Sequence, residues 1–266
     1  MAQLKKLPSV KYITSRDNEF FKVMKKLVSS SRQRKISGQT VLDGAHLVQS
    51  YLSSGNKPQH VLVSESAIQE YEISALLKNL SDVALTQLNS NLFAELSELK
   101  TPSGILALIA LPQPKVAAAQ SHFCLLLEDI QDPGNLGSIL RSAAAAGCDA
   151  VFLSPGCADA WSTKVLRAGM GGHFALSIHE NMDLLAVVKE FPGKILATVL
   201  AATTSLYSCN LRGKLAFAIG NEGAGLSDSL LAAANQRITI PMPGRVESLN
   251  VAAAAICLFE AVRQRN

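Results

Sequence analysis

Residues 239–251, Thr239-Ile240-Pro241-Met242-Pro243-Gly244-Arg245-Val246-Glu247-Ser248-Leu249-Asn250-Val251, constrain the chain more than any other stretch. A short apolar strand enters, two prolines remove backbone donors and fix φ, and Gly244 admits positive φ, so no regular element can run through 241–244. From Leu249 to about Gln264 the sequence reads as a helix rich in alanine and apolar residues, with no charge before Glu260. Such a helix must be buried on more than one face. Glu247 and Ser248 set polar atoms beside its first free N–H groups. A polar loop over a rigid, buried support is the construction a binding site needs.

At 266 residues the chain exceeds one usual core, and two domains are expected. No apolar run approaches the ~20 residues that span a bilayer. The start lacks the apolar core of a signal peptide, so a soluble, cytoplasmic protein without a membrane segment is expected. The five cysteines are scattered, with no C-x-x-C pair and no histidine at ligand spacing, which predicts reduced thiols and no metal. Charge is uneven: residues 1–40 hold Lys5, Lys6, Lys11, Arg16, Lys22, Lys25, Lys26, Arg32, Arg34 and Lys35 against Asp17 and Glu19. Lys22, Lys25, Lys26, Arg32, Arg34 and Lys35 are therefore candidates for phosphate binding, the alternative being a solvated helix face.

Along the chain, Phe20, Phe21, Val23, Met24 and Leu27 recur at helical spacing and predict a basic amphipathic helix over 16–27. Strands over 40–42, 60–64, 83–85 and 104–110 alternate with helices over 45–52, 71–80 and 91–99, a small α/β domain spanning 1–112. The proline-punctuated stretch 113–121 reads as a linker. In 122–266, strands over 123–128, 150–153, 174–178, 195–200, 215–220 and 237–240 alternate with helices, and their near-continuous apolar runs predict a mostly parallel sheet covered on both faces. Loops 129–135, 220–226 and 241–248 then fall at the carboxyl ends of strands, where such sheets bind ligands.

Gly220-Asn221-Glu222-Gly223-Ala224-Gly225 lets a ligand approach backbone N–H groups, yet it has neither the Lys-Ser/Thr of a Walker loop nor the dinucleotide order of glycines. The central Glu222 repels phosphate and suits a cation. A glycine-rich turn ending in a helix cap remains the plain alternative. Asn135-x-Gly137-x-x-x-Arg141 puts a polar edge on a helix whose Leu136, Ile139 and Leu140 face inward, and alone it is also compatible with a solvated arginine.

Together and in this order, N-x-G-x-x-x-R at 135–141, G-N-E-G-x-G at 220–225 and I-P-M-x-G-x-x-E-S-L-N-V at 240–251 resemble the SpoU (TrmH-type) RNA ribose 2′-O-methyltransferases of the SPOUT superfamily. The resemblance is strong over about 122–266. More loosely, Val41-Leu42-Asp43-Gly44 and Thr101-Pro102-Ser103-Gly104-Ile105 look like the substrate-binding domain that precedes many of these enzymes, with Asp43 where glutamate is common.

The resemblance implies a knotted (trefoil) methyltransferase domain with a mostly parallel sheet, S-adenosylmethionine as donor, an RNA substrate and a homodimer through the carboxyl-terminal domain. The donor would meet Thr198, Leu200, Gly220, Asn221, Gly223, Ile240, Met242 and Leu249. Arg141 would activate the ribose hydroxyl, and Asn135, Glu222, Ser248 and Asn250 would position it. A guanidinium stays protonated, so the implied role is stabilisation of a forming alkoxide, or passage of the proton to an RNA phosphate. Ribosomal RNA, the large subunit first, is expected over tRNA because of the added amino-terminal domain. A non-catalytic RNA-binding protein is the reading of another class, opposed by the intact Arg141, Glu222, Ser248 and Asn250.

Overall fold

A computed structural model describes residues 11–99, 101–245 and 249–265. They form two compact units: the described residues of Met1–Pro112 with Trp161–Arg167, and those of Gln113–Ala160 with Ala168–Asn266. Among the described residues, no helix is long and apolar enough to cross a membrane.

In the first unit, β1 (Lys11–Ile13), β4 (Ala84–Leu88) and β3 (His60–Ser64) run parallel, and β5 (Ile105–Ala110) is antiparallel to β3 and to β2 (Gln39–Asp43). α1 (Glu19–Ser29) starts at Asn18, whose Oδ1 accepts from Phe20 N and Phe21 N at 3.0 and 3.3 Å. Its buried stripe is Phe21, Met24 and Leu27, on a core with Val41, Leu62 and Leu106. Val23, expected on that stripe, is 41% exposed. β1 and α2 (Ser31–Ser37) are not visible in the sequence pattern: β1 is an edge strand with only Ile13 buried, and α2 is a short polar helix whose buried residue is Arg34. α3 (Ala45–Ser53), α4 (Tyr71–Lys78) and α5 (Ser90–Leu96) complete the unit. Within it, Thr40 Oγ1 donates to Trp161 O at 2.7 Å and Thr163 Oγ1 to Glu98 Oε2 at 2.6 Å. Asp43 is buried and accepts Ser97 Oγ and Glu98 N, with burial raising its carboxyl pKa.

The second unit carries the parallel order β11-β9-β10-β6-β7-β8, with β6 (Phe123–Leu127), β7 (Ala150–Leu153), β8 (Ser177–His179), β9 (Lys194–Thr198), β10 (Leu215–Ile219) and β11 (Gln236–Ile238). β6 and β10 are buried along their whole length, as strands covered on both faces must be. The chain moves outward from β6 through β7 to β8, then returns so that β10 lies beside β6 with Ile219 opposite Leu127. The direction of winding therefore reverses between β6 and β10, and a parallel sheet opens a crevice at the carboxyl ends of such a pair. α6 (Pro133–Ala145) follows β6 with Asp132 as its cap, accepting Asn135 N at 2.7 Å, and with Pro133 in its first turn. α7 (Thr163–Gly169) begins in the Trp161–Arg167 segment that belongs to the first unit, and α8 (Leu184–Glu190) and α9 (Asp228–Ala233) follow in the second.

Two elements start later than the pattern predicts. Residues Gly172–Ala175 form a 3-10 turn, so β8 starts at Ser177. The final helix, expected from Leu249, is a 3-10 turn at Val251–Ala253 followed by α10 (Ala254–Arg265). Asn250 ends the loop: its Oδ1 accepts Ala252 N and its carbonyl accepts Ala253 N, both at 2.8 Å.

Candidate active site

Beyond the carboxyl ends of β9, β10 and β11 lies a cleft of about 360 Å³, within the range of roughly 300–1,000 Å³ usual for small-molecule sites. Its walls are the end of β9 (Thr198, Val199, Leu200), the loop after β10, the loop after β11 (Thr239, Ile240, Met242) and the start of the terminal helical segment (Leu249, Asn250, Val251, Ala253, Cys257). All eight residues expected to meet the donor lie on it: Thr198, Leu200, Gly220, Asn221, Gly223, Ile240, Met242 and Leu249. Val251, Ala253 and Cys257 line it too, and the sequence reading misses them. Nothing in their residue types sets them apart from ordinary helix packing. Burial raises the Cys257 thiol to about 12, so this wall is neutral.

Among the described residues the one charged side chain on the cleft is Glu222. With no lysine or arginine on the wall, a phosphorylated ligand finds no counter-charge there. The aliphatic wall suits an uncharged ring, and the carboxylate suits a cation.

The loop after β10 shapes itself. Asn221 N donates to Gly225 O at 3.1 Å and Gly225 N to Asn221 O at 2.9 Å, closing a small ring. A Cβ on Gly220 would stand 2.2 Å from the Gly225 carbonyl carbon, so glycine is required there by the loop's own backbone. This supplies a different physical reason for that glycine from the close approach of a ligand. Gly225, at φ 72°, occupies the left-handed region.

Asn135 and Glu222 are brought together: Asn135 Nδ2 donates to Glu222 Oε1 at 2.6 Å, joining the start of α6 to the loop. Arg141, two turns along α6, is exposed and has no ion-pair or hydrogen-bond partner among the described residues. α6 packs on the Val251–Ala253 turn and on α10, two elements that also wall the cleft. Asn250 lines the cleft, but its side-chain oxygen is committed to capping, which leaves its amide N–H groups to donate. Ser248 lies outside the described residues.

The basic candidates separate. Lys22 pairs with Glu19 at 3.0 Å and Lys25 with Glu95 at 2.8 Å. Arg34 is corrected: it is buried, with Nη1 donating to Leu27 O at 2.5 Å and Val28 O at 3.0 Å, so it closes the end of α1 and faces no solvent. Lys26, Arg32 and Lys35 are exposed. Among the described residues, no group of His, Cys, Asp and Glu side chains could hold a metal ion.

Residues 122–259 match the SpoU rRNA Methylase family, and residues 18–107 match the MRM3-like substrate binding domain. The chain belongs to the SpoU rRNA methylase family. It is 34% identical to the 23S rRNA (guanosine(2553)-2′-O)-methyltransferase RlmP of Bacillus subtilis, over 96% of this chain and 100% of that protein. A crystal structure of an RNA 2′-O ribose methyltransferase superposes with a TM-score of 0.80 at 30% identity, covering 95% of this chain and 98% of that one. The AdoMet-bound rRNA methyltransferase from Sinorhizobium meliloti superposes with a TM-score of 0.81 at 26% identity, covering 96% and 98%. The three sequence motifs of this SpoU chain thus follow three strands of the one parallel sheet: Asn135 and Arg141 on α6 after β6, the glycine loop after β10, and the described part of the loop after β11.

Proposed function

We propose that this chain transfers a methyl group from S-adenosylmethionine to a ribose 2′-hydroxyl of ribosomal RNA, the large-subunit RNA first. The observation that carries the reading is the cleft beyond the carboxyl ends of β9, β10 and β11, sized for a small molecule, aliphatic, and bearing a single carboxylate and no cation among the described residues. The residues present fit a sulfonium donor and disfavour a nucleotide phosphate. When bound, S-adenosylmethionine supplies an electrophilic methyl carbon.

Thr198, Leu200, Ile240, Met242 and Leu249 hold the donor's apolar parts and offer strand-end backbone groups to its polar edges. Asn221 fixes the loop, its Oδ1 accepting Gly223 N at 2.8 Å and Ala224 N at 3.0 Å. Glu222 is held by Asn135, and that bond couples α6 to the donor loop. Arg141 then acts on the ribose side. As a permanent cation it stabilises the alkoxide that develops as the hydroxyl attacks, and the proton passes to an RNA phosphate or to water. Ser248 and the Asn250 amide complete the positioning of the ribose.

The same proposal assigns RNA holding to the first unit, with Lys26, Arg32 and Lys35 as its phosphate contacts and Lys22 and Lys25 beside them. It includes a trefoil knot in the second unit, a cytoplasmic setting, and a homodimer through α10. Phe259 on α10 is 47% exposed and Ile256 and Val262 are half-buried, which supports an unfilled apolar face there. Light scattering at micromolar concentration tests the dimer: the mass of one chain for a fully active species contradicts it. The function is tested by mapping 2′-O-methyl positions in ribosomal RNA from cells with and without the gene. Loss of one site supports the proposal, and an unchanged map contradicts it.

A further inference from the structure

Glu128 and Asp129 stand where β6 ends, and the proposed function uses neither. Asp129 has φ 55°, a left-handed conformation sparsely populated by residues with a Cβ. Its surroundings hold it there. Asp129 N donates to Ser154 Oγ at 2.9 Å, and Ser154 Oγ donates back to Asp129 Oδ1 at 2.6 Å. Ser154 is itself buried and tied to the sheet through its N–H on Leu127 O at 3.0 Å. On the other side, a Cβ at Gly156 would stand 2.1 Å from Asp129 Oδ1, so the carboxylate fills the space that glycine leaves.

This clasp has one outlet. With Asp129 turned left-handed, its carbonyl oxygen accepts Asn221 Nδ2 at 2.9 Å. The other amide atom of Asn221 accepts Gly223 N and Ala224 N, so the side chain transmits the position of residue 129 to the backbone of the glycine loop. At the far end of that loop, Glu128 accepts Ser227 N and Ser227 Oγ, both at 2.7 Å. Both ends of 220–226 are therefore fastened to the same dipeptide.

We propose that Glu128-Asp129 is the positioning element of the donor loop, with Asp129, locked left-handed by Ser154, setting the loop shape that donor affinity requires. Neither residue touches a reacting atom. The inference rests on the donor-cleft reading and adds to it two residues outside the three motifs.

The test is calorimetric titration of S-adenosylmethionine into the full chain, with amide hydrogen exchange over 221–226 and steady-state kinetics alongside. Asp129→Asn tolerates the left-handed region and keeps an oxygen for the Ser154 hydroxyl, so its donor affinity stays within about threefold of wild type. Asp129→Ala loses the clasp and weakens the donor by about tenfold or more, raising KM for the donor while kcat at saturating donor stays within about twofold. Exchange at 223 and 224 accelerates in step. Ser154→Ala leaves residue 129 intact, shifts both readouts the same way, and decides the matter should Asp129→Ala not fold. Wild-type affinity and exchange in folded Asp129→Ala or Ser154→Ala, or equal losses in the Asn and Ala variants, overturn the inference and leave the donor reading standing. A folded wild-type chain that takes up no S-adenosylmethionine overturns both.

Discussion

Gly220→Ala isolates the loop's own geometry from everything else in the site. The added Cβ would stand 2.2, 2.3 and 2.4 Å from the carbonyl carbon and oxygen of Gly225 and from Leu226 N. All three are backbone atoms, with no side-chain end to swing away. Ordinary contacts lie near 3.5–4.0 Å, so the two limbs of the loop must part by about 1 Å or more. That breaks the paired Asn221–Gly225 hydrogen bonds of 3.1 and 2.9 Å. At ~1 kcal/mol net for each bond, with crowding of ~1–3 kcal/mol taken up partly by the exposed loop, the local cost is about 2–3 kcal/mol. The donor must restore the closed loop on binding, so its affinity falls roughly 30- to 150-fold. Calorimetric titration of S-adenosylmethionine reads this directly, with circular dichroism confirming the fold. Gly223→Ala is the steric control. Its Cβ would meet only Asn221 Oδ1, at 3.5 Å, and exchange of the loop amides should stay at the wild-type rate. A folded Gly220→Ala chain that binds donor within twofold of wild type would refute the argument that the loop's closed shape makes the site.

Charge reversal of Lys26, Arg32 and Lys35 together should weaken RNA binding and lower the slope of log K against log salt by about 0.7–0.9 for each phosphate no longer neutralised, with donor affinity intact. Filter binding across a salt series checks it, and an unchanged slope returns these side chains to a solvated face. Arg34→Ala should act on the fold, destabilising the first unit by about 1–3 kcal/mol through the unsatisfied carbonyls of Leu27 and Val28, as a lowered thermal midpoint. A normal midpoint with impaired RNA binding would contradict the buried role. His173 is buried, and burial lowers its imidazole pKa from 6.5 to about 4. Between those values the unfolded chain binds the proton and the folded chain does not, so stability should fall by roughly 3 kcal/mol as pH drops from 6.5 to 4 and change no further below. In His173→Gln that part of the pH dependence of the denaturation midpoint should vanish, and its persistence would assign it elsewhere.

The parallel sheet of the second unit is legible because β6 and β10 are uninterrupted apolar runs ending in polar loops, a pattern that burial on both faces imposes. The eight cleft residues come from motif resemblance, since strand periodicity alone says nothing of which loop faces which. What the sequence conceals depends on contacts between distant segments. The left-handed Asp129 is defined by Ser154, and its carbonyl serves Asn221, which lies 92 residues on. Gly220 reads as a ligand-facing glycine until Gly225 is seen folded against it. Arg34 sits among surface cations by composition, yet two carbonyls at the end of α1 draw it inward. The terminal helix reads as starting two residues before its 3-10 turn because Leu249 and Asn250 continue its apolar and polar alternation, whereas the Asn250 side chain supplies the cap.

The central claim is methyl transfer to a ribose hydroxyl with Arg141 on the substrate side. It is tested most directly by incubating the purified chain and its Arg141→Ala variant with S-adenosylmethionine carrying a labelled methyl group and unmodified ribosomal RNA, then digesting the RNA to nucleosides for mass spectrometry. The account predicts label in one 2′-O-methyl nucleoside with the wild type and none with Arg141→Ala, while both proteins bind the donor within a few-fold of each other. Label on a base, or transfer by Arg141→Ala at the wild-type rate, would contradict it.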